Sequence, residues 1–200
     1  MLQAMDDMLQ ELQERLGYSF SDPSLLTRAM THASASGRRR PSNERLEFLG
    51  DAVVGLVVSE HLFRSMPRSP EGDMTRIKSA VVSRRTQARV GRALGLPQYL
   101  RVDPGLRQRK RYPASMAANA YEAVVGAILV DRGIEAAREF VLRTLAPEVV
   151  RAQAGRHGRD YKSVLQQKTQ AGAKGAPQYD TVQHEGPDHQ RRFLVKVYIG

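Results

Sequence analysis

Asn43-Glu44-Arg45-Leu46-Glu47-Phe48-Leu49-Gly50-Asp51-Ala52-Val53 decides how this chain is read. Helical residues advance by about 100° each. With Glu44 as origin, Glu47 and Asp51 fall within roughly 60° of it, so three carboxylates share one stripe. Leu46, Leu49, Val53, Leu56 and Val57 fall on the other side and are expected to face the core. Like charges at helical spacing repel. A cation-binding edge explains the stripe, and a plain solvated acidic face explains the same three residues equally well. Phe48 and Gly55 project near the stripe rather than the core. An exposed aromatic points to a partner surface, and a glycine permits close backbone approach.

A second stretch, Ala117-Ala118-Asn119-Ala120-Tyr121-Glu122-Ala123-Val124-Val125-Gly126-Ala127-Ile128-Leu129-Val130, holds one charged residue, Glu122. Its small and apolar surroundings predict a largely buried helix. A buried lone carboxylate is costly unless paired or bound to a metal. An Arg from elsewhere is one such partner. Packing this helix across the first is the other route. Glu47, Asp51, Asn119 and Glu122 then converge, with Asn119 one turn before Glu122 on the same face. Four oxygen side chains, with no Cys or His among them, suit a hard cation such as Mg²⁺ or Mn²⁺.

Composition fits a nucleic-acid partner. The formal net charge is +10, and 25 of the 31 basic residues are Arg. Residues 1–152 carry 23 basic and 17 acidic groups, and residues 153–200 carry 8 and 4. Both parts are therefore basic, as phosphate contact requires. An Arg-rich solvated surface gives the same balance. The chain has no Cys, which excludes a disulfide framework and a thiolate metal site and fits a reducing compartment. The first residues are acidic and lack a long apolar run, so neither a signal peptide nor a membrane anchor is expected there. No Glu is followed by His three residues on, which argues against a carboxylate-bridged di-metal redox bundle.

Residues 43–53 resemble the signature of the ribonuclease III family. Leu16-Gly17-Tyr18-Ser19-Phe20, Leu25-Leu26, Thr31-His32-Ala33-Ser34, Glu71-Gly72-Asp73-Met74-Thr75-Arg76 and Ser115 through Asp131 resemble further family segments, in order. The tail from Asp160 resembles a double-stranded-RNA-binding domain. The resemblance implies a mainly α fold: an all-helical endonuclease domain (residues 1–152), a linker (153–159) and a small α+β RNA-binding domain (160–200) that reads as truncated at Gly200.

The implied activity is cleavage of double-stranded RNA, with Mg²⁺ (or Mn²⁺) as cofactor and no small-molecule cofactor. Implied products carry 5′-phosphate and 3′-hydroxyl ends with short 3′ overhangs, in rRNA and mRNA precursor processing in the cytoplasm. Glu47, Asp51, Asn119 and Glu122 would hold metal, with Asp51 and Glu122 catalytic. Glu44, Ser163, Gln166, Gln170 and His189 would contact RNA, and Phe48 would sit in a homodimer interface. One departure stands out: the family usually has Asp where this chain has Asn119. Asn offers a carbonyl oxygen but no charge. A catalytically silent RNA binder on the same fold therefore stays open.

Pattern and breakers place helices at 2–16, from Pro23, at 43–63, 71–82, 84–94, 114–131 and 134–146, with a basic loop at 103–113 and no strand before 150. The tail reads as a helix over 161–170 and strands over 178–184 and 192–199, joined by a turn at Glu185–Asp188. Ser163, Gln166 and Gln170 share one helical face suited to an RNA minor groove.

Overall fold

The computed structural model describes residues 2–35, 41–108, 112–155, 161–172, 175–185 and 192–199. It divides into two compact units, Met1–Ala154 and Gly155–Gly200. The first is helical: α1 (Leu2–Leu16), α2 (Pro23–Ala29), α3 (Glu44–Ser65), α4 (Glu71–Val81), α5 (Arg84–Ala93), α6 (Leu96–Tyr99), α7 (Pro104–Arg107) and α8 (Ala114–Gln153). The boundaries follow local chemistry. Asp22 caps α2 by accepting from the Ser24 N–H, with Pro23 at the first helical position. Ser83 caps α5 by accepting from the Thr86 N–H.

The first half of α8 is the centre of this unit. α3 packs along it most extensively and α5 next, with α2, α4 and α6 against it as well. Residues Met116 to Ile128 are buried except Asn119 and Glu122, which are half-buried. Tyr121 is fully buried; its ring stacks on Phe140 and its hydroxyl bonds the Thr144 hydroxyl at 2.8 Å. Leu12, Leu16, Leu26, Met30, Leu62 and Leu145 complete the core. Each such side chain contributes roughly 1.5–3 kcal/mol by leaving water.

Three readings need correction. Leu56 does not face the core: it is 57% exposed, while Leu46, Gly50, Val53, Val54, Val57, Val58 and Leu62 are buried. Apolar residues lie on two sides of α3, and the sequence pattern alone does not say which side the domain covers. The loop at 103–113 contains a helical turn, Pro104–Arg107, capped by Asp103 accepting from the Gly105 N–H at 2.8 Å. The helix read as ending near residue 146 runs through Pro147 to Gln153. Burial of Val149 and Ala152, and the tie of buried Glu148 to Arg89 and Arg151, outweigh the proline penalty. The break between the two expected helices is real: Gly133 has φ 82° inside α8, a conformation open to glycine.

The second unit contains α9 (Tyr161–Ala171) and an antiparallel hairpin of β1 (Gln178–Glu185) and β2 (Arg192–Tyr198). The register runs from Gln178 opposite Tyr198 to Glu185 opposite Arg192, with an irregularity between Thr181 and Gln183. Among the described residues of the first unit, extended pairing is limited to one parallel bridge, Thr31 with Arg101.

Candidate active site

Two glycines bring the carboxylates together. A Cβ on Gly50 of α3 would collide with the backbone carbonyl of Glu122, and one on Gly126 of α8 with the carbonyl of Leu46. The helices therefore cross with their backbones in contact. That crossing sets Glu47 and Asp51 of α3 opposite Asn119 and Glu122 of α8. The resulting pocket has a volume of about 500 Å³ and is lined by His32, Ala33, Asn43, Glu44, Glu47, Phe48, Asp51, Arg84, Asn119 and Glu122. Glu44, Glu47, Phe48 and Asp51 of α3 and Asn119 and Glu122 of α8 all line it, and Gly55 does not.

The remaining wall comes from loops and α5. The His32 N–H donates to the Arg101 carbonyl at 3.0 Å, and the Asn43 N–H to the Thr31 carbonyl at 2.8 Å. These bonds tie residues 31 and 32 both to Arg101 and to the residue that precedes α3. His32 Nδ1 accepts from the Ser34 N–H at 3.1 Å. Glu44 is exposed, and its carboxylate accepts from the Ser42 hydroxyl at 2.7 Å.

The electrostatics mark the site as strained. Glu122 titrates at about 7, raised first by burial and then by the charges of Asp51 and Glu47; the Gln87 amide and Arg84 pull the other way. Burial also raises Glu47, with Glu44 and Asp51 adding to it, while Arg84 and a hydrogen bond from Asn119 oppose it. Ion pairs in this unit are made by Glu11, Glu60, Asp73, Asp131, Glu135 and Glu148. Among the described residues, none includes Glu47, Asp51 or Glu122, so the expected alternative of an Arg capping Glu122 is not what is found.

Asn119 completes the picture. Its amide side chain lies near enough to Glu47 to lower that carboxyl's proton affinity, and its carbonyl oxygen, Oδ1, is buried with no hydrogen-bond partner. A buried acceptor left open costs roughly 1–3 kcal/mol. Among the described residues, no three Asp, Glu, His or Cys side chains sit close enough to cage a metal by themselves. An acceptor plus one or two carboxylates is a donor set that suits Mg²⁺, which keeps several waters and shares its coordination with substrate phosphates.

Gln87 and Arg84 were not legible from the sequence. Gln87 is fully buried on α5; its amide donates to the Val82 carbonyl at 3.0 Å and toward Glu122. In the second unit, Gln166 and Gln170 are exposed on α9. The Ser163 side chain and His189 lie outside the described residues.

On α3, Phe48 is 81%, Leu56 57% and Phe63 72% exposed. A Cβ on Gly55 would have no neighbour within 4 Å. With exposed Ala52, these positions span an arc of about 100° along one side of the helix.

Known proteins agree with this architecture. A family model described as ribonuclease-III-like matches residues 22–149. The ribonuclease 3 of Rhodopirellula baltica is 46% identical over 191 residues, covering 96% of this chain and 72% of that protein. The ribonuclease 3 of Symbiobacterium thermophilum is 45% identical over 188 residues, covering 93% and 80%. The solved nuclease domain of ribonuclease III from Campylobacter jejuni, described for flexibility in a region involved in its dimer formation, matches with a TM-score of 0.65 at 34% identity. It covers 70% of this chain and 97% of that one. No described helix is long and apolar enough to cross a membrane. With the acid-lined crossing of α3 and α8 at its centre, the chain belongs to the ribonuclease III family and is an endoribonuclease of that type.

Proposed function

We propose that this pocket binds Mg²⁺ and cleaves double-stranded RNA to 5′-phosphate and 3′-hydroxyl ends with short 3′ overhangs. The observation that carries the reading is the open Oδ1 of Asn119 beside two carboxylates whose proton affinity is raised by burial and mutual repulsion. A site built this way is short of positive charge. Glu47, Asn119 and Glu122 would hold the cation directly, and Asp51 would hold it or orient the attacking water. Bound there, a hard divalent cation supplies water activation, neutralisation of the phosphate and support for the leaving oxygen. Gln87 fixes the Glu122 carboxylate, and the Asn119 amide fixes Glu47. The crossing at Gly50 and Gly126 holds the two helices in register.

The exposed stripe of Phe48, Leu56 and Phe63 fits a second copy of the chain. A twofold pair presents the same pocket twice, matching the two antiparallel strands of a duplex. Gln166 and Gln170 supply polar contacts to an RNA minor groove, with Ser163 and His189 the remaining contacts that the family resemblance implies. Precursor rRNA and mRNA in the cytoplasm are the substrates that fit such an activity. Incubating the protein with labelled duplex RNA, with Mg²⁺ or with EDTA, tests the reading. Cleavage in Mg²⁺ alone, leaving 5′-phosphates, is expected. A duplex bound but uncut would overturn it.

A further inference from the structure

Among the described residues lining the pocket, Arg84 carries the one fixed positive charge. It opens α5 directly after the Ser83 cap, with Arg85 beside it and no acid in the first turn. A helix N-terminus bears partial positive charge, so two cations there work against the helix. The Arg84 side chain is exposed. Some arginines of the unit are committed, Arg89 and Arg151 to Glu148 and Arg138 to Glu60, and none of those lines the pocket. Arg84 makes no such pair among the described residues, although its field reaches both Glu47 and Glu122.

Two roles compete for a cation in this place. A neutraliser of the acids would be expected in contact with one of them. It would also repel the divalent cation that the acids are arranged to hold. A ligand for an anion would stand free at the pocket mouth, close to the acids but bonded to none, as Arg84 does. RNA brings that anion. Guanidinium matches phosphate with two parallel N–H donors, a geometry that Lys lacks.

We propose that Arg84 grips the non-bridging oxygens of the RNA phosphate seated at this pocket, a substrate contact supplied by α5 in addition to the carboxylates of α3 and α8. The proposal rests on the reading of the pocket as a phosphodiester-cleaving centre. Its test uses Arg84→Gln and Arg84→Lys in the full chain. At saturating Mg²⁺, Arg84→Gln should lower kcat/KM roughly 10- to 100-fold. Arg84→Lys should recover part of that loss. In a Glu122→Gln background, where turnover is off, adding Arg84→Gln should reduce the salt slope of duplex binding by about one.

The neutralising role predicts the reverse pattern. Arg84→Gln would then lower the half-maximal Mg²⁺ concentration, leave kcat/KM unchanged at saturating Mg²⁺ and leave the salt slope unchanged. That pattern would overturn the proposal. Wild-type protein in Mg²⁺ and in EDTA runs alongside. A wild type that fails to cleave removes the phosphodiester-cleaving reading, while the salt slope still decides the phosphate contact of Arg84.

Discussion

Glu122 and Asp131 stand nine residues apart on α8, and the fold treats them in opposite ways. The Asp131 side chain is 2% exposed. Burial alone would raise its pKa. The Tyr18 hydroxyl at 2.7 Å, the Ser21 and Asp22 N–H groups at about 3.0 Å and the nearby Arg132 reverse that, and the pKa is lowered. Glu122 is half-buried and held at one side by Gln87, with two like charges facing it, and its pKa rises to about 7. Glu148 repeats the Asp131 solution with two arginines, Arg89 and Arg151. A carboxylate that serves the fold is fully bonded. Glu122 is left short of such partners.

The largest expected effect separates these two acids directly. Glu122→Gln should reduce cleavage by about 10³-fold or more, since a charge facing the reacting phosphate is lost, with helical content unchanged. Asp51→Asn should behave alike. Asp131→Asn should keep the cleavage rate within several-fold of wild type but cost about 2–4 kcal/mol of stability, because an amide cannot accept all those donors. Single-turnover cleavage and urea unfolding measure both. Equal losses of activity from Glu122→Gln and Asp131→Asn would erase the distinction.

Next in size is the crossing that makes the pocket. Gly50→Ala sets a methyl against the Glu122 carbonyl, where neither backbone can yield. It should cost about 3 kcal/mol or more, beyond the usual overpacking penalty. Gly55→Ala, which meets nothing within 4 Å in the chain, should leave the monomer folded and about 0.5–1 kcal/mol more stable. It should weaken dimerisation if α3 faces a second copy. Phe48→Glu should do so more strongly, by several kcal/mol. Sedimentation at low micromolar concentration reads the dimer. An unchanged dimer in Phe48→Glu would remove the α3 stripe as the interface.

The sequence carried the carboxylate stripe, the isolation of Glu122 and the opening of α2 at Pro23, because each is local chemistry. It also carried the helix and hairpin of the tail. What it lacked was long-range. Gly50 and Gly126 look like ordinary helix glycines until the two backbones touch. Arg84 lines the pocket from a third helix and Gln87 lies buried on the same helix toward Glu122, and no spacing in the chain announces that. α3 has apolar residues on two sides, so Leu56 reads as core although it is exposed. Pro147 reads as a stop until burial on the far side of it is known.

Asn119→Asp gives a smaller effect. It adds a charge beside Glu47 and Glu122, so the half-maximal Mg²⁺ concentration should fall by about tenfold, or about 1.4 kcal/mol. At saturating Mg²⁺ the two proteins should cleave at similar rates. A Mg²⁺ titration on one duplex decides; superimposed curves would reject direct ligation by residue 119.

The most direct measurement of the central claim is the unfolding free energy of the metal-free protein between pH 5 and 8, with and without Mg²⁺. Glu122 has a folded pKa near 7, above its unfolded value of about 4.5. Its contribution to stability is therefore present below pH 4.5 and lost as pH rises through 7. Asp131, with its pKa lowered, contributes above its unfolded value near 3.8 and loses that only as pH falls below it. Wild-type stability without metal should thus fall from pH 5 to 8. Glu122→Gln should remove most of that fall and be about 1–2 kcal/mol more stable than wild type at pH 8, after discounting for solvent screening. Mg²⁺ should restore the wild type at pH 8 and do little for the variant. A Glu122→Gln protein that is less stable than wild type at pH 8, or that gains equally from Mg²⁺, would contradict the account.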